Sequence, residues 1–255
     1  MVPLIHMTHS PDPQTESPDT LLVSDIDDTL TGDDEALRTL TMAINALHPR
    51  LRIVVNSSRP YDSVLTTLND VFPSKFKPDG IITAMGTEVR VDGAPVAEWD
   101  ARFTGWPRQR IAGLVTSLGH RAHEQALQTE HKASFAVPRG EAQAEVTRLL
   151  EAHDLPCRII ASGEDDLDIL PPGAGKDHAT LFITQHMGYD VSQLIVAGDS
   201  ANDLAMFLVA PRAIAVANAR AELIDAAPKG RVYHAKAHYA AGVHEGLIHY
   251  RALPA

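Results

Sequence analysis

Leu21-Leu22-Val23-Ser24-Asp25-Ile26-Asp27-Asp28-Thr29-Leu30 runs from apolar residues through a serine straight into acids. An apolar run this short reads as a strand buried on both faces, as in a parallel sheet. Its acids then fall at the carboxyl end, the edge where open α/β sheets hold their ligands. Leu194-Ile195-Val196-Ala197 repeats the arrangement, with Gly198-Asp199-Ser200-Ala201-Asn202-Asp203 behind it. Carboxylates converging at one edge cannot all stay ionised without a cation, and hard oxygen ligands point to Mg²⁺.

Outward from these two stretches the chain alternates strand and helix. Leu37, Leu40, Ile44 and Leu47 mark one helical face before the strand Leu51-Arg52-Ile53-Val54-Val55. Val64, Leu65, Leu68 and Val71 mark a second helix before Ile81-Ile82-Thr83. The alternation resumes after Lys176, with a helix to about Met187, the strand at 194–197, a helix from Asn202 and a strand over 213–216. This is the pattern of a doubly wound, Rossmann-like parallel sheet with helical crossovers.

Residues 87–171 follow another rhythm. Val89-Arg90-Val91 and Pro95-Val96-Ala97 flank Asp92-Gly93, a hairpin signal. A helix opens near Pro107, then come a strand over 134–137, a helix carrying Val146, Leu149 and Leu150, and strands over 158–161 and 167–170. We expect a core of 20–86 and 172–255, a smaller α/β cap of 87–171 inserted into it, and a disordered tail over 1–19, where Pro3, Pro11, Pro13 and Pro18 alternate with polar residues.

The acids suit phosphoryl transfer. Asp25, first after its strand, is the natural nucleophile, provided a cation offsets its repulsion from phosphate. Asp27, two positions on, would protonate the leaving alcohol and later deprotonate water, and its carbonyl could ligate the metal. Asp199 would complete the metal ligands, and Asp203 would ligate through water or orient its neighbours. In Asn56-Ser57-Ser58-Arg59, Ser57 with the amides around Ser58 would hold phosphate oxygens, and Lys176 would neutralise charge. Taken singly, each segment has a plainer meaning: Asp28, Asp33 and Asp34 suit a turn or N-cap, Ser57 and Ser58 a helix cap, and Lys176 the surface. Gly175-Lys176 is no P-loop, because Leu170 stands where a glycine is required and Asp177 where Ser or Thr belongs.

Composition narrows the classes. A net charge of −11 over 255 residues disfavours nucleic acid and anionic membrane surfaces as partners. The lone Cys157 excludes a disulfide framework or a cysteine metal cluster, and no apolar run reaches membrane-spanning length. These features fit a soluble cytoplasmic enzyme.

DIDDTL, SSR, Lys176 and GDSANDLAMF, in this order, resemble the four motifs of the haloacid dehalogenase superfamily of phosphotransferases. From Leu21 to Tyr250 the chain is similar to the sucrose-phosphatase-like family, on the strength of ITAMGTEV, HKASF and DLDILPPGAGK as well. The resemblance implies a Mg²⁺-dependent phosphatase acting through an aspartyl phosphate, with Asp25 as nucleophile and Asp27 as acid and base. It also implies phosphate contacts from Ser57, Ser58, Lys176 and Asn202, metal carboxylates at Asp199 and Asp203, and sugar-hydroxyl contacts from Glu88 and Lys132. Two segments depart from the family: SSR stands where TGR is common, and HKASF where sucrose-specific members are more aromatic. The expected substrate is sucrose 6-phosphate, with mannosyl-3-phosphoglycerate, mannosylfructose phosphate or a monosaccharide phosphate as alternatives. A non-catalytic sugar-phosphate sensor is the reading from a different class, disfavoured by the Asp25/Asp27 pair.

Overall fold

Strand β1 (Thr20–Ser24) is buried at every residue in the computed structural model, which describes residues 19–254. The expected disordered tail thus lies almost wholly outside the described residues. After β1 come helix α1 (Asp34–Leu47), β2 (Leu51–Asn56), α2 (Tyr61–Asp70) and β3 (Gly80–Thr83). Then follow β4 (Glu88–Val91), β5 (Ala94–Pro95), α3 (Ala97–Asp100), α4 (Arg108–Ser117), β6 (Arg121–Ala122), β7 (Ala133–Ala136), α5 (Glu141–Ala152), β8 (Arg158–Ser162) and β9 (Asp166–Leu170). The chain finishes with α6 (Lys176–His186), β10 (Leu194–Gly198), α7 (Leu204–Val209), β11 (Arg212–Ala215), α8 (Ala221–Ala226), β12 (Val232–His234) and α9 (Tyr239–His249).

Two sheets result. The larger has the order β12-β11-β10-β1-β2-β3-β4-β5, with the six strands from β12 to β3 parallel. Its strands carry apolar residues on both faces because helices cover both. Leu21 and Val23 face one layer, with Ile183 of α6 and Phe207 of α7, whereas Leu22 faces the other, with Leu40 of α1 and Leu247 of α9. Asp33 caps α1, accepting from the amides of Glu35 and Ala36 at 3.0 Å each. The smaller sheet, β6-β7-β9-β8, is antiparallel and covered on one face by α4 and α5 through Ile111, Val115, Val146 and Leu150. Cys157 is free and half-buried beside that core.

One expected boundary moves. The hairpin β4–β5, assigned above to the inserted module, pairs antiparallel with β3 and extends the larger sheet. Trp99 of α3 and Phe103 are buried in the larger core as well, with the Trp99 ring 4.6 Å from that of Phe182 on α6. The smaller module therefore begins after Phe103, not at residue 87. Turn chemistry announces a hairpin, but its partner strand is a long-range matter that Asp92-Gly93 does not encode.

The chain leaves β3 through Ala84, Met85 and Gly86, all in the left-handed region (φ 50°, 58° and 83°). A Cβ on Gly86 would lie 2.3 Å from the Gly175 carbonyl oxygen, so these two backbones abut where only glycine fits. Gly86→Ala should cost about 3 kcal/mol, from the wrong φ and the clash together. Thermal unfolding checks this, and a melting temperature within about 1 °C of wild type would contradict it.

Candidate active site

The parallel sheet ends the two acidic loops side by side. The Asp25 amide continues the ladder, donating to the Ala197 carbonyl at 3.0 Å, so β1 and β10 stay paired up to the acids. Beyond β10, Gly198 gives Asp203 room to fold back, since a Cβ there would meet the Asp203 Cβ at 2.5 Å. Asp203 Oδ2 accepts from the Asp199 and Ser200 amides at 3.0 and 3.1 Å, and its Oδ1 accepts from Lys176 Nζ at 2.7 Å. Asp203 thus joins its own loop to the start of α6.

Lys176, at the start of α6, has a fully buried side chain. Besides Asp203, its ammonium donates to Asp25 Oδ1 at 2.7 Å and Asn202 Oδ1 at 3.0 Å. The helix start is itself moored: Asn56 Nδ2 donates to the Lys176 carbonyl and to Thr180 Oγ1, both at 3.2 Å. Asp25, Asp199 and Asp203 each offer an oxygen within 4.8 Å of the others, and all three are buried. Thr29 Oγ1 steadies Asp199 at 3.3 Å.

The electrostatics follow from that crowding. Burial, reinforced by Asp203, holds the Asp25 carboxyl well above the carboxylate range despite Lys176. Burial, then Asp203 and Asp28, push Asp199 up to about 6. Burial pulls Lys176 down, but Asp203 and Asp25 outweigh it and raise the ammonium above the ordinary lysine range. One ammonium does not balance three carboxylates, so the donor set fits a hard cation.

Other expected residues sit apart from this group. Asp27 is 54% exposed and turns its carboxylate to Arg59, with Oδ2 2.8 Å from Nε. The Ser57 hydroxyl is buried and accepts from the Arg59 amide at 3.1 Å, and it does not cap α2, whose N-cap is Pro60 with no side-chain bond. The neighbouring Ser58 presents its carbonyl to Lys132 Nζ at 3.1 Å, a bond from the residue before β7 to the larger module. Lys132 is only 3% exposed and lies 3.3 Å from Asp168 on β9. Glu88 accepts from Thr83 Oγ1 at 2.7 Å and, with Arg90 and the 125–130 segment, lines an intermodule cleft of about 610 Å³. Sequence reasoning assigned no role to Arg59, Thr29 or Asn56. For Thr29 the signal was its place inside the first acidic loop, and for Asn56 its place at the end of β2, directly before Ser57.

This constellation can be compared with known proteins. The profile of Sucrose-6F-phosphate phosphohydrolase matches residues 18–251, nearly the whole chain. The chain belongs to that family. Like its relatives, this phosphohydrolase is a phosphoric monoester hydrolase acting on sugar phosphates. It is 34% identical to mannosylfructose-phosphate phosphatase of Agrobacterium fabrum, over 92% of this chain and 98% of that one. It is 30% identical to sucrose-phosphatase 1 of Nicotiana tabacum, over 92% of this chain but only 60% of the plant protein's length. The solved sucrose-phosphatase of Synechocystis, in complex with sucrose and phosphate, superposes with a TM-score of 0.83 at 26% identity, covering 92% of this chain and 99% of that one. Among the described residues of the phosphohydrolase, no helix is long and apolar enough to cross a membrane.

Proposed function

We propose that this phosphohydrolase removes phosphate from a phosphorylated disaccharide of the mannosylfructose phosphate or sucrose 6-phosphate kind, with Asp25 as nucleophile. One observation carries the reading: Asp25, Lys176, Asp199 and Asp203 share one buried site at the end of the larger sheet. An Asp25 oxygen attacks phosphorus, and the bond to the sugar oxygen breaks as Asp27 gives that oxygen its proton. Asp27 then takes a proton from water, whose oxygen attacks phosphorus and releases Asp25 and inorganic phosphate. Lys176 neutralises charge on Asp25 and the phosphoryl group, while Ser57, the Ser58 amide and Asn202 hold phosphoryl oxygens. Asp25, Asp199, Asp203 and the Asp27 carbonyl would hold Mg²⁺, which supplies positive charge against the phosphoryl oxygens.

The leaving sugar occupies the cleft between the modules, the smaller acting as cap. Lys132 has three N–H donors; one goes to the Ser58 carbonyl, Asp168 lies 3.3 Å away, and a remaining donor serves a sugar hydroxyl, with Glu88 as a second hydroxyl contact. The similarity over nearly the full length of the Agrobacterium protein supports a disaccharide phosphate. The net charge of −11 supports a small-molecule substrate over nucleic acid or a membrane surface.

Phosphate release across a panel tests the substrate. Mannosylfructose phosphate or sucrose 6-phosphate should exceed mannosyl-3-phosphoglycerate and the monosaccharide phosphates by at least about tenfold in kcat/KM, because a site that bonds sugar hydroxyls rejects ligands lacking them. A monosaccharide phosphate at the top of the ranking would overturn it. Asp27→Asn tests the acid: a sugar phosphate should lose roughly 10²-fold or more, and an aryl phosphate, whose leaving group needs no proton, far less. Equal losses would remove Asp27 from that role.

A further inference from the structure

We propose that Arg59 is a positioning residue that fixes which oxygen of Asp27 faces the leaving group; this rests on Asp27 being the acid and base. Asp27 follows β1 and Arg59 follows β2, so the pair bridges two loops at the same sheet edge. Left alone, a carboxylate that is 54% exposed rotates freely between its two oxygens. Arg59 removes that freedom from one side, with Nε 2.8 Å from Oδ2.

The guanidinium is itself held rigidly. Nη1 donates to Ser63 Oγ at 3.2 Å and to Thr67 Oγ1 at 3.0 Å. Those hydroxyls are four residues apart on α2 and therefore share one helix face. With Nη1 tied to the helix, the planar fork has one orientation, and Nε meets Asp27. The ion pair with Nε holds Oδ2 on the Arg59 side by charge and not by an aligned hydrogen bond, and Oδ1 becomes the oxygen that carries the proton to the sugar and takes one from water.

Two observations separate positioning from plain stability. A half-exposed ion pair contributes little to folding, so stability alone gives no reason for Ser63 and Thr67 to hold Arg59 on Asp27. Moreover, Nε is off the hydrogen-bond line to Oδ2, and Nη2 is buried with no hydrogen-bond partner among the described residues. A guanidinium serving only the fold would have these donors satisfied.

Arg59→Ala and Arg59→Lys should be assayed on sucrose 6-phosphate and on p-nitrophenyl phosphate, alone and combined with Asp27→Asn. For Arg59→Ala we expect kcat on the sugar phosphate to fall about 30-fold or more, within the range of a displaced general acid, and on the aryl phosphate less than about fivefold. Competitive inhibition by inorganic phosphate should be unchanged, and added guanidinium ion should restore part of the lost kcat. In the Asp27→Asn background, Arg59→Ala should cost less than about threefold, because nothing remains to position. Arg59→Lys keeps the charge without the fork, so it should show the same selective loss and serves if the alanine variant does not fold. Equal losses on both substrates, weakened phosphate inhibition, or full additivity with Asp27→Asn would overturn the proposal. If Asp27→Asn itself shows no selectivity for the sugar phosphate, the acid assignment fails, and the proposal fails with it for that separate reason.

Discussion

Asp25→Asn should abolish turnover, by roughly 10⁴-fold or more, while leaving the protein folded. The size of the loss follows from the chemistry: an amide oxygen does not form the acyl phosphate, and the remaining groups only bind and orient. Retention of the fold follows from the electrostatics. Burial and Asp203 hold the Asp25 carboxyl well above its ordinary range, so its ionised form is a destabilising element of the metal-free protein. For a carboxyl whose pKa is raised by folding, the cost is fully present above the folded pKa and fades as pH falls towards the unfolded value. The asparagine variant lacks that cost. In EDTA at pH 8 it should melt at or above the wild type, and at pH 5 the difference should narrow. A clearly lower melting temperature at pH 8, or any substantial turnover, would refute the assignment. EDTA should also silence the wild type, with activity returning on added Mg²⁺.

Lys176→Met should damage both stability and activity. The ammonium is the buried cation among Asp25, Asp203 and the Asn202 carbonyl oxygen, at 2.7, 2.7 and 3.0 Å. Removing one partner of a buried ion pair leaves the other charge uncompensated, at a cost of about 3–5 kcal/mol. In a chain of this size that is a fall in melting temperature of roughly 10 °C. Protonation of the abandoned carboxylates relieves part of the cost, so the fall should be larger at pH 8 than at pH 5.5. Mg²⁺ should recover stability by binding among the carboxylates, yet not activity, because the charge opposite the nucleophile is missing. Differential scanning fluorimetry across pH, with and without Mg²⁺, reads all of these. A variant with wild-type melting temperature at pH 8 would show that the carboxylates are neutral without Lys176.

The core was legible in the sequence because its signals are local. Leu21–Val23 and Leu194–Ala197 are apolar runs ending in acids, and the parallel sheet places those ends together. The acids of the site were legible for the same reason. What needed the structure was pairing between distant segments. The hairpin at 88–95 announced its turn but not that β3 would claim it. β12 is three residues long, too short to show a period, and it exists because β11 offers an open edge. The pairings of Asp27 with Arg59 and of Lys132 with Ser58 join loops that are neighbours only after folding. Gly198 sits in the motif, yet its reason is the Asp203 side chain pressed against it.

Lys132 also bears on how a reaction cycle ends. Its ammonium, 3% exposed, grips the carbonyl of Ser58, one residue from the hydroxyl proposed to hold phosphate. Any opening of the smaller module away from the larger breaks that bond, which lies just before β7. In the proposed reaction, departure of the sugar would therefore be tied to loosening of the loop that holds its phosphate, and the two products would leave through one shared motion instead of two independent ones.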